Sequence, residues 1–182
     1  MKSNHSITIN WTQLRHDNWN VYIAATEQGL CYVGSPDKPV TELENWVQAK
    51  IPGCELVQND EAMQPYAAVL VEYFQGKRAR FEVAMDYKGT AFQMAVWNAL
   101  CQIPYGQTFT YSDIANQIGK PAAVRAVGAA IGANPLLITV PCHRVIGKSG
   151  ALTGYRGGLA MKTRLLELEG KRARMREKVN NA

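Results

Sequence analysis

The segment VPCHRVIG, residues 140–147, sets a thiol between a proline and a histidine–arginine pair, with aliphatic residues on either side. A cysteine becomes nucleophilic when positive charge or a histidine favours its thiolate, and Cys142 has both His143 and Arg144 beside it. The plainer alternative is a buried cysteine acting as a small hydrophobe. Read as a short strand over 139–146, the segment turns successive side chains to opposite faces. Cys142 and His143 then cannot easily pair directly as thiol and base. A relay through a water, with a carboxylate orienting the histidine, is the easier arrangement.

Other site patterns fail. GKS at 147–149 ends like a phosphate loop, but the first glycine of that loop would have to be residue 142, which is cysteine. GxGxxG and GxSxG are absent. Cys31, Cys54, Cys101 and Cys142 form no CxxC pair, and with three histidines they make no zinc pattern of standard spacing. No metal or cofactor is expected. The first residues, MKSNHSITINW, lack a signal-peptide apolar core, and no run reaches membrane-span length. The expectation is a cytoplasmic protein with free thiols, acting as a monomer away from membranes.

The elements around the thiol divide into two parts. Residues 19–26 and 30–33 are apolar runs separated by Gly29, a hairpin signal. TELENWVQAK carries Thr41 and Glu44 at capping-box spacing and predicts a helix. Residues 62–75 predict a second helix stopped by Gly76, and ARFEVAMD alternates like a strand. DYKGT, 86–90, is the boundary, giving an α/β N-terminal domain over 1–88, a small antiparallel sheet with helices. A C-terminal domain over 89–170 follows, mainly α and winged-helix-like. Thr90/Gln93 and Thr110/Asp113 are further capping boxes, and YSDIANQIG followed by a helix starting at Pro121 makes a helix-turn-helix pattern. Residues 171–182 form a basic tail, not necessarily ordered.

Charge is uneven between the halves. Residues 1–88 carry 8 basic and 11 acidic residues, and 89–182 carry 12 basic and 4 acidic. Basicity confined to one half suggests a polyanion partner there. On the third helix of the second half, Val124, Val127 and Ile131 form a core stripe. The opposite face holds Ala122, Ala126, Ala129 and Ala133 beside Arg125 and Gly132. Either another protein layer packs there, or the face lies against DNA with Arg125 long enough to enter the base stack.

The elements PCHRVIG, RAVGAAIGANP and TGYRGGLAMKTRLLELEG resemble the O6-alkylguanine-DNA alkyltransferase family, also called methylated-DNA–protein-cysteine methyltransferases, over about Phe92 to Gly170. The first half is similar only loosely. The resemblance implies that Cys142 accepts an alkyl group from O6-alkylguanine in double-stranded DNA, once per molecule, and it leaves O4-alkylthymine open. It implies that His143 draws off the thiol proton through water, that Glu169 orients it, and that Asn134 ties the adjoining turn to the helix-turn-helix. It further implies that Tyr111 rotates the target phosphate and bonds the flipped guanine while Arg125 fills the stack. Tyr155, Val145 and the backbone around Arg156 would line the base pocket. Ala126, Ala129, Ser112, Lys120 and Lys148 would face DNA. Members with a zinc-bearing N-terminal domain use Cys and His ligands that cannot be assembled here.

Two rival readings remain open at this point. One is a non-catalytic protein that binds alkylated DNA while Cys142 only packs. The other is a cysteine hydrolase or redox sensor, against which stands the lack of a second histidine placed as base.

Overall fold

The computed structural model describes residues 6–181. The first half is a four-stranded sheet in the order β3-β2-β1-β4. Strands β1 (Thr8–His16), β2 (Trp19–Thr26) and β3 (Gly29–Val33) form an antiparallel meander. Helix α1 (Thr41–Lys50) then crosses over, so that β4 (Glu55–Gln58) pairs parallel to β1. The sheet is therefore mixed, where antiparallel pairing alone was expected. β1 and β4 are the two strands without a sequence expectation. Alternation along β2 splits its faces. Val21, Ile23 and Ala25 join the main core with Met63, Leu70 and Tyr73 of α2 (Asp60–Phe74), while Ala24 packs with Leu43 and Val47 of α1.

Three expectations in this half are corrected. α1 has Val40 at its N-cap with no side-chain cap bond. Val40 is already helical (φ −56°, ψ −24°), which places Thr41 inside the first turn and leaves no Thr41/Glu44 box. α2 begins earlier than expected because the Asn59 side chain accepts from the Ala62 N–H. ARFEVAMD is not a strand. It meets β3 only at the Leu30–Met85 bridge, because the β3 edge is shared. Leu30 bonds to Ala84 and Asp86, whereas Val33 donates to the Pro135 carbonyl.

That shared edge joins the halves, and one core cluster runs from Leu14 and Ile23 through Trp97 and Leu100 to Cys142 and Leu165. Helix α3 (Ala91–Cys101) starts with the Thr90/Gln93 capping box. Strand β5 (Phe109–Thr110) leads into α4 (Tyr111–Gln117), capped by Thr110/Asp113. The third helix, α5 (Val124–Gly132), starts three residues beyond Pro121, because Lys120–Ala123 form a turn after Gly119, which sits at φ +71°. Val127 and Ile131 of the predicted core stripe are buried and Val124 is half-buried. β6 (Val145–Ile146) pairs parallel with β5.

The final helix, α6 (Leu159–Asn180), passes straight through Gly170, the expected stop. The tail expected after Gly170 is therefore a continuation of this helix as far as Asn180. No α-helix among the described residues is long and apolar enough to cross a membrane.

Candidate active site

Of the strand expected over 139–146 only Val145–Ile146 is strand, as β6, and the thiol lies in a turn before it. Cys142–Arg144 form one 3₁₀ turn, with the Arg144 N–H donating to the Pro141 carbonyl and the Cys142 N–H to the Val140 carbonyl. Proline has no N–H for a ladder, and the residues before it are already bent. Ile138, fully buried, sits at φ +71°, a region that β-branched side chains rarely occupy. Packing from every side over-determines such a conformation, and strain of this kind collects at functional sites.

Asn134 holds the turn from the α5 side. It follows the C-cap residue Ala133, and its Oδ1 accepts from the Leu136 N–H at 2.9 Å. Its Nδ2 donates to the Val140 carbonyl at 3.1 Å, the Leu136 carbonyl at 3.2 Å and Cys142 Sγ at 3.2 Å. The thiol is only 3% exposed. Burial pushes it above its ordinary pKa, a rise that the Asn134 amide and the Arg156 and Lys162 charges only partly offset. The resting group is therefore the thiol, and a base must take its proton as it reacts.

His143 follows the thiol in the same turn. Its Nε2 lies 2.8 Å from Glu169 Oε1, and both side chains are fully buried. Burial pulls the imidazole below its ordinary pKa, against the opposing pull of Glu169. A neutral ring that donates Nε2–H to a carboxylate keeps the Nδ1 lone pair as acceptor, and His143 Nδ1 is buried without a partner. Direct Cys142–His143 pairing is absent, as expected, but strand alternation is not the reason. The turn and Glu169 aim the ring.

Glu169 is the charged centre. Burial alone would raise its pKa, but hydrogen bonds from His143 and Arg144 hold the carboxyl well below the usual range. Arg144 grips it with Nε at 2.9 Å and a terminal nitrogen at 2.8 Å, and gives its other terminal nitrogen to the Ile103 carbonyl. The Tyr73 hydroxyl donates to Oε1 at 2.6 Å, so α2 of the first half reaches the acid–base network. Lys162, also buried, donates from Nζ to the carbonyls of Val145 and Thr153, tying β6 to the loop that carries Tyr155.

Sequence reasoning set the Arg144 charge beside the thiol, but the structure commits it to Glu169, and Arg156 and Lys162 are the cations that act on Cys142; it assigned no site role to Tyr73 or Lys162. Arg144 stood in the PCHR element. Lys162 carried a faint signal, since Leu159, Leu165 and Leu166 share its helix face at i−3, i+3 and i+4. Tyr73 on a helix face carried none.

The other expected residues separate into two groups. Tyr111 opens α4 and accepts from Thr153 Oγ1 at 3.3 Å, while Ser112 beside it is half-buried. Arg125, Ala126 and Ala129 are exposed on α5. Lys120 is exposed with Nζ 5.8 Å from the Phe92 ring centroid, and Lys148 is exposed on the turn after β6. Tyr155 carries a buried, unpartnered hydroxyl, and burial keeps it a neutral phenol. Val145 is fully buried. The Arg156 side chain runs into the first half, donating to the Val33 carbonyl at 2.8 Å and the Pro135 carbonyl at 3.3 Å.

Comparison with known proteins gives this arrangement its relatives. Residues 91–171 match the 6-O-methylguanine DNA methyltransferase DNA binding domain family, and residues 11–87 match the 6-O-methylguanine DNA methyltransferase ribonuclease-like domain family. The inducible methylated-DNA–protein-cysteine methyltransferase of Bacillus subtilis is 63% identical over 89% of this chain and 90% of its own. The Methanosarcina acetivorans methylated-DNA–protein-cysteine methyltransferase is 45% identical over 82% of this chain and 91% of its own. The crystal structure of Mycobacterium tuberculosis OGT in complex with DNA superposes with a TM-score of 0.75 at 38% identity, over 91% of this chain and 94% of that one. The family models that match both halves, with the 63% identical relative, place the chain in the methylated-DNA–protein-cysteine methyltransferase family.

Proposed function

We propose that Cys142 is the alkyl acceptor, that its substrate is O6-alkylguanine in double-stranded DNA, and that each molecule reacts once. The family's direct repair of methylated DNA is the activity of this chain. The observation that carries the residue assignment is the fully buried His143, bonded to Glu169 through Nε2 and left with a free Nδ1 acceptor beside the thiol turn.

The O6 atom lies on the edge of guanine that pairs with cytosine, so the nucleotide must leave the stack, at a cost of a few kcal/mol. Arg125 on the small-residue face of α5 fills the gap, and Ala126 and Ala129 let that helix sit deep in the minor groove. Tyr111 turns the target phosphate. Tyr155, Val145 and the backbone at Arg156 form the base pocket, while Ser112, Lys120 and Lys148 meet phosphates.

The thiol proton passes through a water to His143 Nδ1, and Glu169 stabilises the imidazolium. Sulfur attacks the alkyl carbon in line. The S–C bond forms as the C–O6 bond breaks, and the electron pair stays on O6. Tyr111 donates toward the guanine as that charge develops. The product thioether has no easy leaving group, so the protein is consumed. We further assign the chain to the cytoplasm as a monomer.

The test is intact-protein mass after mixing with excess duplex carrying one O6-methylguanine, followed by peptide mapping. A gain of one methyl group, confined to the Cys142 peptide, is expected. Bound DNA with no mass gain refutes transfer and leaves a lesion-binding protein.

A further inference from the structure

The uneven charge implied that the basic half faces DNA through its helix-turn-helix. The fold distributes that charge otherwise. Of the twelve basic residues in 89–182, only Lys120, Arg125 and Lys148 lie exposed on or near α4, α5 and the turn after β6. Arg144, Arg156 and Lys162 bond inward, to Glu169 and to backbone carbonyls. Arg164 lies on the Trp19 ring, 3.9 Å from its centroid. The remaining five, between Lys171 and Lys178, occupy the end of α6.

The loop after α2 adds cations from the first half. Arg172 donates to the Gln75 carbonyl at 2.8 Å, which docks the loop on α6. Arg80 and Arg176 line one cavity of about 550 Å³ with Phe81, Tyr105 and Pro141. Lys77 and Arg80 are exposed, as is every residue from Arg174 to Asn181. Arg78 is neutralised by Glu72 at 2.7 Å. None of the other basic residues of this face is in an ion pair among the described residues.

The helix dipole favours cations only within the last turn, which here holds Lys178 alone. Arg172 also serves the fold through Gln75, and Arg176 lies 5.4 Å from the Tyr105 ring centroid; among the described residues no ion pair or ring contact uses Lys77, Arg80, Lys171 or Arg174.

We propose that Lys77, Arg80 and the end of α6 form a second electrostatic face, separate from α5, that holds the phosphate backbone of duplex DNA. Charge complementarity selects this occupant, and most of the cations are arginines, whose fork matches phosphate. Lys171 to Lys178 spans about 10 Å at ~1.5 Å per residue, roughly the axial reach of three phosphates on one strand. The inference rests on DNA being the substrate.

The test uses the full chain carrying Lys77→Gln, Arg80→Gln, Arg174→Gln, Arg176→Gln and Lys178→Gln, all exposed positions outside the site. Binding to long unmodified duplex is measured against salt. Each phosphate contact contributes about 0.9 to the slope of log K against log salt, so a loss of roughly 3 in slope is expected. Methyl transfer from free O6-methylguanine base should be unchanged. A second variant with lysine at Arg80, Arg174 and Arg176 should keep the parental slope. An unchanged slope in the glutamine variant, with the parent transferring normally, overturns the second face alone. Competition by poly-glutamate stronger than by DNA reassigns the face to an acidic protein. A parent that transfers nothing to Cys142 instead overturns the repair reading.

Discussion

Glu169→Gln tests the acid–base network most severely. The carboxylate accepts from the Tyr73 hydroxyl, His143 Nε2, two Arg144 nitrogens and, at 3.4 Å, the Gly106 N–H. Glutamine keeps the shape but turns one acceptor into a donor. With its NH₂ toward the Oε1 position it meets Tyr73, His143 and Arg144. Turned over, it meets Arg144 Nε and Gly106. Either way donor faces donor, and the buried Arg144 loses its counter-charge. Removing one partner of a buried ion pair costs about 3–5 kcal/mol. For a chain of this length 1 kcal/mol moves the melting temperature by about 2–4 °C, so a fall on the order of 10 °C is expected. Single-turnover methyl transfer should slow by about 10²-fold, the lower range for a general base that has lost its orienting group. Tyr73→Phe is the graded control. It removes one charge-assisted bond worth about 1.5–3 kcal/mol and leaves Arg144 paired. Denaturation and quenched-flow transfer measure the two effects. A Glu169→Gln protein within about 0.5 kcal/mol of the parent, an ordinary surface effect, would refute the claim that this carboxylate is the buried charge holding the turn.

Arg125→Ala should lower transfer from duplex O6-methylguanine at least tenfold while leaving transfer from the free base unchanged, because only the duplex needs its stack filled; equal rates on duplex for variant and parent sink that role. Acid should destabilise the fold in two steps. His143 has a folded pKa below its unfolded value near 6.5. The unfolded chain therefore binds the extra proton, and stability begins to fall as pH drops through about 6.5. Glu169, also depressed, adds loss as pH falls below its unfolded value near 4.3. Melting curves from pH 8 to about 2 should show both losses, and His143→Phe should abolish the first; a flat profile to pH 5 contradicts a neutral buried imidazole.

The sequence carried most of what local rules can carry. Both C-terminal capping boxes, the β2–β3 hairpin and the core stripe residues Val127 and Ile131 are where spacing put them. Errors arose where tertiary contacts outvoted local pattern. ARFEVAMD alternates well, yet Pro135 occupies the part of the β3 edge it would have paired with. VPCHRVIG has the residues of a strand, but Pro141 and the Asn134 amide bend it into a turn. Gly170 looks like a stop only when the surroundings are unknown, since a helix interior tolerates glycine at a cost of about 1 kcal/mol. At the site, Cys142, His143, Asn134 and Glu169 were legible through the family resemblance, and they come together. Tyr73, from the other half of the chain, carries no local mark because its role is set by a contact 96 residues away.

On the proposed roles, Asn134 would link lesion reading to chemistry within one small domain. It directly follows the C-cap of α5, the helix that bears Arg125, and its amide touches Cys142 Sγ. The Trp97 indole fixes the same end of α5 by donating to the Ala130 carbonyl at 2.8 Å. Cys142 is eight positions beyond Asn134, and the strained Ile138 lies midway between them. A helix seated by the duplex and a thiol seated by that helix then share one rigid connection. The first half stiffens it from outside through the Val33–Pro135 bond and the Tyr73–Glu169 bond. A loosened α5 end should therefore cost transfer from the free base as well as from DNA, whereas a lost DNA contact costs only the second. That difference separates positioning from binding in any variant of this helix.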